Sequence, residues 1–190
     1  VAIAGGEPEV VLEGEEFVLV LGGRLALRQG GVDIALEAGE QALLVRGVPL
    51  SWSSDVGARL VVLRCTAGNG PAIGQPVKID TSATLSPSNP PLAELLVGPT
   101  PQCRSHADYR SSSGEFVCGT WDSTPYHRLP MRFQHFELMH LLEGSVTFVD
   151  EGGAAGTFGA GDVVLFVRGG TVSWESRDYV RKAYAWFRPA

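Results

Sequence analysis

The four histidines of this chain all lie between residues 106 and 140, and one of them stands two positions before a glutamate. They are His106, His127, His135 and His140, and the glutamate is Glu137. Because side chains alternate between the two faces of a strand, His135 and Glu137 share one face and His140 takes the opposite one. An imidazole beside a carboxylate can transfer protons, so Glu137 and His135 are the candidate catalytic residues.

A third side chain would turn this pair into a metal site. His127, His135 and Glu137 together make a set of two imidazoles and one carboxylate. Such a set suits one divalent metal ion, either Mn, Fe, Ni or Zn. The alternative is that His135 and Glu137 hydrogen-bond to each other or to buried backbone groups, without a metal.

The charge state of Glu137 depends on what surrounds it. In an apolar interior, desolvation raises the pKa of a carboxyl group unless the group is paired, and a raised pKa suits a general acid or base. A single hydrogen bond could instead hold the carboxyl neutral with no catalytic role. Glu16 is predicted to have no titratable neighbour on its face, which favours this second interpretation for Glu16.

These residues belong to an internal repeat. Glu137 stands seven positions before a glycine, as does Glu16. The segment 167–174 matches the segment 45–52 at five of eight positions, and both segments end in Ser-Trp. One supersecondary plan is therefore used twice.

Short strands separated by turns predict an all-β architecture. Alternating or continuous apolar runs, such as 163–167, are interrupted by glycine-rich turns every ~8–12 residues, which is typical of a sandwich or barrel. Residues 1–66 and 114–190 are predicted as the two β units. Residues 67–113 are predicted as a connector with one short helix at about 90–97.

Composition and charge narrow the range of partners. The 190 residues are 44% hydrophobic and 19% charged with a net charge of −6, so a general nucleic-acid surface is not expected. No apolar run approaches the ~18 residues of a membrane span, and no signal peptide is visible. Cys65, Cys103 and Cys118 are widely spaced and odd in number, which favours free thiols in a reducing compartment. We therefore expect a cytoplasmic protein that binds neither nucleic acid nor membrane.

The spacing of the repeat resembles the two conserved motifs of the cupin superfamily. The first motif ends in glutamate, six residues and glycine, as at 137–144 and 16–23, and the glycines of the second motif are present in both copies. Trp174 and the Arg-Lys-x-Tyr sequence at 181–184 resemble the subgroup of (S)-ureidoglycine aminohydrolase and the ethanolamine-utilisation cupins. The resemblance implies a bicupin with two jelly-roll barrels, in which the face carrying Glu137 points into the C-terminal barrel.

The chain departs from the cupin pattern at the metal ligands. The family holds a divalent metal with two His, one Glu and a third His, and only the Glu remains in each copy. The third His position is Val172 in the later copy and Leu50 in the earlier one. The upstream His-x-His positions fall on Met131 and Phe133, or on Pro130 and Arg132. The departure implies that the usual metal site is absent and that the N-terminal copy has lost its site.

By the same resemblance, Trp52 and Trp174 line the two barrels, because they share a face with the third-ligand positions. They would form a stacking wall for a small ligand, or else serve as ordinary core residues. Trp121, Tyr126 and Arg128 are predicted at the rim of the C-terminal pocket, and with Trp174 they are the candidate ligand-binding residues. Arg128 would bind a carboxylate there; a solvated surface arginine is the alternative.

Three functions fit these observations. The first is a small-molecule-binding bicupin with an altered metal site and its pocket in the C-terminal barrel. The second is a metal-dependent cupin enzyme acting on a small polar nitrogenous or carboxylate metabolite, with Glu137 and His135 at its centre. The third is a non-catalytic regulatory or assembly module. The outward parity of Phe136 and His140 also leaves room for a homodimer.

Overall fold

The computed structural model describes residues 2–3, 9–65 and 74–189, with the backbone alone at 2–3. The regular structure of these residues is β-strand, apart from one turn of 3₁₀ helix at Ala93–Leu95. The predicted all-β fold class is confirmed. The described part of the chain contains no helix that could span a lipid bilayer.

The chain divides into two compact units. The first contains Val1–Ile79 and Asp108–Cys118, and the second contains Asp80–Ala107 and Gly119–Ala190. The boundary predicted between residues 66 and 67 lies outside the described residues.

The first unit contains two antiparallel sheets, here called the N-terminal barrel. Its strands are β1 (Ala2–Ile3), β2 (Val10–Val11), β3 (Glu16–Gly22), β4 (Leu25–Gln29), β5 (Val32–Leu36), β6 (Gln41–Leu44), β7 (Pro49–Ser54), β8 (Ala58–Arg64) and β9 (Val77–Lys78). One sheet has the order β1-β8-β3-β6-β9 and the other β2-β7-β4-β5. Alternation along β4 buries Leu25 and Leu27 in a core of aliphatic side chains.

The second unit repeats this layout and is called the C-terminal barrel. Its strands are β10 (Ser86–Ser88), β11 (Cys103–Arg110), β12 (Phe116–Ser123), β13 (Tyr126–Arg132), β14 (Phe136–Glu143), β15 (Ser145–Val149), β16 (Ala155–Gly159), β17 (Val163–Phe166), β18 (Thr171–Ser176) and β19 (Val180–Phe187). The sheets have the orders β10-β11-β12-β19-β14-β17 and β13-β18-β15-β16. Residues 108–110 of β11 and 116–118 of β12 are assigned to the first unit. The sheet layout is compatible with two barrels, and the C-terminal interior is rich in aromatic side chains.

The repeat seen in the sequence is also a repeat of strand register. In the N-terminal barrel, β3 and β8 place the following residues opposite each other: Glu16 and Arg64, Val18 and Val62, Val20 and Leu60. In the C-terminal barrel, β14 and β19 place these opposite each other: Glu137 and Trp186, Met139 and Tyr184, Leu141 and Lys182. Opposed residues share a face, so each set of six belongs to one side of its sheet.

The glycine that ends the first motif has a steric reason in both copies. Gly23 and Gly144 each have a φ of 77°, a conformation that other residues adopt with strain. A Cβ at Gly144 would lie 2.0 Å from the carbonyl oxygen of Tyr179. The two strands that carry Glu16 and Glu137 therefore end in equivalent turns.

The three cysteines are free and buried, which confirms the expectation of free thiols. Burial raises the pKa of the Cys118 thiol and raises that of Cys103 to about 11. Neither thiol is a nucleophile at neutral pH.

Candidate functional site

The C-terminal barrel brings two polar side chains, those of His135 and Lys182, to the carboxylate of Glu137. Alternation along β14 places Glu137, Met139 and Leu141 on one buried face. His135 Nε2 lies 3.1 Å from Glu137 Oε2, and Lys182 Nζ lies 2.8 Å from Glu137 Oε1. The carboxylate thus has an imidazole on one oxygen and an ammonium group on the other.

Lys182 reaches Glu137 diagonally across the sheet. It lies opposite Leu141 on β19, and its long side chain extends past Met139, whose Sδ is 3.2 Å from Nζ. Nζ also lies 4.8 Å from the ring centroid of Trp121 and 5.3 Å from that of Trp174. The ammonium is therefore held by a carboxylate, a thioether and two aromatic rings.

Lys182 was not among the site residues predicted from the sequence. A signal was present, since Lys182 alternates with Val180 and Tyr184 on the inward face of the last strand. A lysine at an inward position needs a buried partner. The partner could not be named before the strand pairing was known.

The pairing decides the charge of Glu137. Burial alone would raise the pKa of the carboxyl group, but the charge of the Lys182 ammonium and the hydrogen bonds with His135 and Lys182 lower the pKa to about 2. Of the two cases considered from the sequence, the paired one is observed. Glu137 is ionised at neutral pH and cannot act there as a general acid.

Three of the predicted ligand-binding residues form an aromatic stack inside the C-terminal barrel. Tyr126 stacks on Trp174 with ring centroids 5.4 Å apart, and Trp121 meets Trp174 edge-on at 5.8 Å. Trp174 Nε1 donates a hydrogen bond of 3.2 Å to Ser176 Oγ. Trp174 is only 3% exposed, so its rings are already covered by protein.

Arg128 is buried, which corrects the alternative of a solvated surface arginine. It is 3% exposed, and its Nη1 donates to the carbonyl oxygens of Leu129 and Val172 at 3.0 and 3.1 Å. The buried guanidinium therefore links the backbones of β13 and β18 by hydrogen bonds.

The N-terminal barrel contains a cavity of about 650 Å³. Eleven of its lining residues are apolar, including Leu44, Leu60 and Trp52, and the charged ones are Glu13, Glu16 and Arg64. From its missing histidines, this barrel was predicted to have lost its site. A volume of this size is typical of small-molecule pockets.

One end of this cavity carries a salt bridge. Arg64 Nε donates to Glu16 Oε1 at 2.5 Å; the Arg64 side chain is 61% exposed and that of Glu16 only 9%. The bridge thus runs from the interior to the solvent. Glu16 occupies the ladder position that Glu137 has in the C-terminal barrel. The prediction that Glu16 lacks a titratable neighbour on its face is wrong, because Arg64 on the adjacent strand β8 pairs with it.

Comparison with known proteins places the chain in a family. A solved structure from Pseudomonas syringae pv. tomato, a protein of unknown function of the DUF861 family, is 31% identical, with a TM-score of 0.93 over 98% of this chain and 79% of that one. The chain belongs to the DUF861 family of cupin proteins. A family model described as an EutQ-like cupin domain matches residues 110–184, which include Glu137 and Lys182.

More distant structures share the fold of this DUF861 chain. A cupin 2 conserved barrel domain protein from Leptotrichia buccalis has a TM-score of 0.62 at 8% identity, over 97% of this chain and 79% of that one. Protein Ylba from E. coli, also of the DUF861 family, has a TM-score of 0.58 at 12% identity, over 97% and 73%. No protein with a curated description matches the sequence.

The cupin fold implies a metal, and the residues of this DUF861 chain do not fit one at Glu137. The place beside the carboxylate is taken by the Lys182 ammonium, whose positive charge opposes a divalent cation. Among the described residues, no three His, Cys, Asp or Glu side chains are grouped so that they could hold a metal ion. His135 and Glu137 alone are too few for the sites that such metals form.

His127 is not brought to the pair formed by His135 and Glu137. On β13, Tyr126 and Arg128 point inward, and His127 between them has the opposite parity. It lies across from Glu175, whose neighbour Trp174 is inward. The structure therefore unites two of the three predicted metal ligands.

Proposed function

We propose that this chain is a bicupin that binds a small molecule in its N-terminal barrel and does not use a barrel metal. The observation that carries the proposal is the cavity of about 650 Å³ in that barrel. The sequence predicts a pocket in the C-terminal barrel instead. A comparison of matching ladder positions supports the change of barrel.

Three leucines of the N-terminal barrel stand where the C-terminal barrel has phenylalanines. Leu44 and Phe166 lie opposite Glu16 and Glu137, respectively. Leu36 lies opposite Leu25 in the N-terminal barrel, and Phe158 lies opposite Val146 in the C-terminal one. Leu27 follows Leu25 by two residues, as Phe148 follows Val146. In the C-terminal barrel, Phe148 packs on Phe158, Phe166 and Trp174. Smaller side chains at the same positions leave space in the N-terminal interior.

The side chain of Lys182 also occupies interior space in the C-terminal barrel that is left open in the N-terminal one. Leu60 has the ladder position of Lys182, and Val62 that of Tyr184. The side chains that occupy the C-terminal interior are thus replaced by short aliphatic ones that line the cavity. We propose that the two copies differ in role: the C-terminal barrel has a filled interior, and the N-terminal barrel holds the ligand.

Filling the cavity is expected to abolish ligand binding. Leu44→Phe introduces the residue that the C-terminal barrel carries at the matching position, so the substitution suits the fold while it occupies the pocket. We expect an environment-sensitive apolar dye to bind the wild type and to lose at least about tenfold in affinity for the variant, measured by fluorescence titration. Val56→Phe, at a side chain that is 99% exposed, is the matched control and should bind as the wild type does. Equal affinity of the dye for L44F and the wild type would contradict the proposal.

Metal analysis tests the other half of the proposal. The resemblance to (S)-ureidoglycine aminohydrolase implies a metal enzyme, whereas the Lys182 ammonium beside Glu137 favours a metal-free barrel. We expect elemental analysis of the untagged protein to find no stoichiometric Mn, Fe, Ni or Zn after incubation with each ion. Stoichiometric metal that is lost in Glu137→Gln would overturn this and support the metal-dependent enzyme. His135 Nδ1, which is buried and has no hydrogen-bond partner in the described part of the chain, would then be a candidate ligand atom.

A further inference from the structure

The N-terminal cavity is lined by the counterparts of the residues that form the ammonium site of the C-terminal barrel. In that site, Lys182 Nζ lies 2.8 Å from Glu137 Oε1 and 3.2 Å from Met139 Sδ. The ring centroid of Trp174 is 5.3 Å from the same nitrogen. The strand register and the sequence repeat give the four counterparts, which are Glu16 for Glu137, Val18 for Met139, Trp52 for Trp174 and Leu60 for Lys182. All four counterparts line the cavity.

The N-terminal copy of this group keeps the carboxylate and lacks the lysine. Leu60 stands at the ladder position of Lys182, and its side chain is shorter and carries no charge. Glu16 stands at the position of Glu137, and its side chain is 9% exposed. The copy therefore retains the group that pairs with an ammonium and leaves open the space that a lysine chain fills in the other barrel.

Glu16 can accept a further hydrogen bond although it already pairs with Arg64. A carboxylate has about four acceptor positions on its two oxygens. Glu137 uses both of its oxygens, one with His135 and the other with Lys182. Arg64 reaches Glu16 Oε1 with a side chain that is 61% exposed, so it comes from the solvent side. Because Glu16 also lines the cavity, a second donor can approach the carboxylate from there.

The charges of the described lining residues favour a cation over an anion. Two carboxylates, Glu13 and Glu16, and one guanidinium, Arg64, give one negative charge in excess. An anion in the cavity would face Glu16 and an apolar wall, which costs free energy, whereas an ammonium beside Glu16 would be paired.

We propose that the N-terminal cavity binds a primary alkylammonium compound, with the ammonium on Glu16 and the hydrocarbon chain among the aliphatic side chains. This inference rests on the proposed function and names the chemical class of the ligand. The ligand takes the place that the Lys182 side chain has in the C-terminal barrel. A primary amine is the class that matches, because a lysine side chain is itself an alkyl chain that ends in three N–H donors.

A series of eight-carbon probes tests the inference. Dissociation constants would be measured at neutral pH for octylammonium, 1-octanol and octanoate, by displacement of the same apolar dye. We expect octylammonium to bind most tightly, at least about tenfold more tightly than 1-octanol, because hydrogen bonds to charged groups contribute on that scale. Octanoate should bind most weakly. Binding of 1-octanol or octanoate as tight as that of octylammonium would overturn the inference.

The variant Glu16→Gln removes the negative charge and keeps the size of the side chain. It should weaken octylammonium by about tenfold and leave 1-octanol nearly unchanged. Glu37→Gln is the matched control, because Glu37 pairs with Arg24 at the surface with a side chain that is 55% exposed. E37Q should bind octylammonium as the wild type does. An unchanged preference for octylammonium in E16Q would overturn the role of Glu16.

The variant Leu60→Lys supplies the missing lysine at its matching position. Its ammonium should pair with Glu16 and its chain should occupy the cavity, so octylammonium should lose at least about tenfold in affinity. Leu60→Met is the control of similar length without a charge, and it should keep the preference for octylammonium over 1-octanol. Octylammonium that binds L60K as tightly as the wild type would contradict the proposed place of the ligand.

The wild-type series tests the ligand class even if E16Q or L60K folds poorly. If octylammonium and 1-octanol bind equally and both are lost in L44F, the inference fails and the proposed function stands. If no probe binds the wild type, both fail.

Discussion

Replacement of Lys182 by methionine is expected to lower the free energy of unfolding by about 3–5 kcal/mol at neutral pH. Methionine keeps most of the side-chain volume, so the loss comes from the charge. Without the ammonium, the Glu137 carboxylate stays buried and keeps, of the two contacts described above, only the one with His135. Equilibrium unfolding in urea, followed by tryptophan fluorescence and circular dichroism, measures the change.

Two comparisons separate this charge effect from a general effect of mutation. The double variant K182M/E137Q removes both charges and should recover a large part of the loss, since an unpaired buried charge costs more than no charge. Lys78 offers a matched control, because it forms an exposed pair with Glu40 at 2.6 Å. Lys78→Met should cost no more than about 1 kcal/mol. A K182M variant as stable as K78M would contradict the assignment of Lys182 to a buried ion pair.

Acid is expected to remove the stabilisation that comes from Glu137. Its folded-state pKa of about 2 lies below the ordinary value of 4.5, so the unfolded chain takes up this proton first as the pH falls. The contribution is complete above about pH 4.5 and is lost as the pH falls towards about 2. A depression of this size corresponds to about 3 kcal/mol. Unfolding free energies measured at several pH values across this interval give the slope.

The variant E137Q isolates this contribution from that of other carboxyl groups. E137Q should unfold with a shallower dependence on pH between about pH 4.5 and 2 than the wild type does, because a glutamine binds no proton. Glu40→Gln is the control: hydrogen bonding with Lys78 lowers the Glu40 pKa, but at an exposed position, where solvent screens the pair. Identical slopes for E137Q and the wild type would show that Glu137 is not held ionised by Lys182.

The parts of the site that lie on one strand could be predicted from the sequence. His135 and Glu137 were placed on the same face by alternation alone, and the structure brings them together. The repeat of Glu, six residues and Gly correctly predicted two equivalent strand ends, because the turn after each strand requires a positive φ. Local periodicity and steric rules are enough for such features.

The parts that depend on pairing between strands could not be predicted in this way. Lys182 meets Glu137 only because β19 lies beside β14 in one particular register, and a lysine side chain can reach past one neighbour along that ladder. His127 was expected near the lip of the same barrel as His135, but the alternation along β14 does not determine which face of β13 His127 occupies. The salt bridge between Glu16 and Arg64 was missed for the same reason.

The cavity was missed because the N-terminal barrel was assessed by its lost histidines and not by side-chain volume. A leucine in place of a phenylalanine looks conservative in a sequence, since both are hydrophobic. At Leu27, Leu36 and Leu44 the same exchange occurs three times around one interior, and the missing volumes add up. Interior volume is a property of the assembled barrel and has no local signature.

The distribution of tryptophans gives this chain a built-in optical reporter. Of the four tryptophans, only Trp52 belongs to the N-terminal barrel, whereas Trp121, Trp174 and Trp186 belong to the C-terminal one. The emission of Trp52 comes from the wall of the cavity, and two of the other three indoles lie against the Lys182 ammonium. The difference between the emission spectra of the wild type and W52F therefore isolates light from the cavity wall. Entry of a ligand would change this difference spectrum and leave the remaining emission unchanged, without any added label.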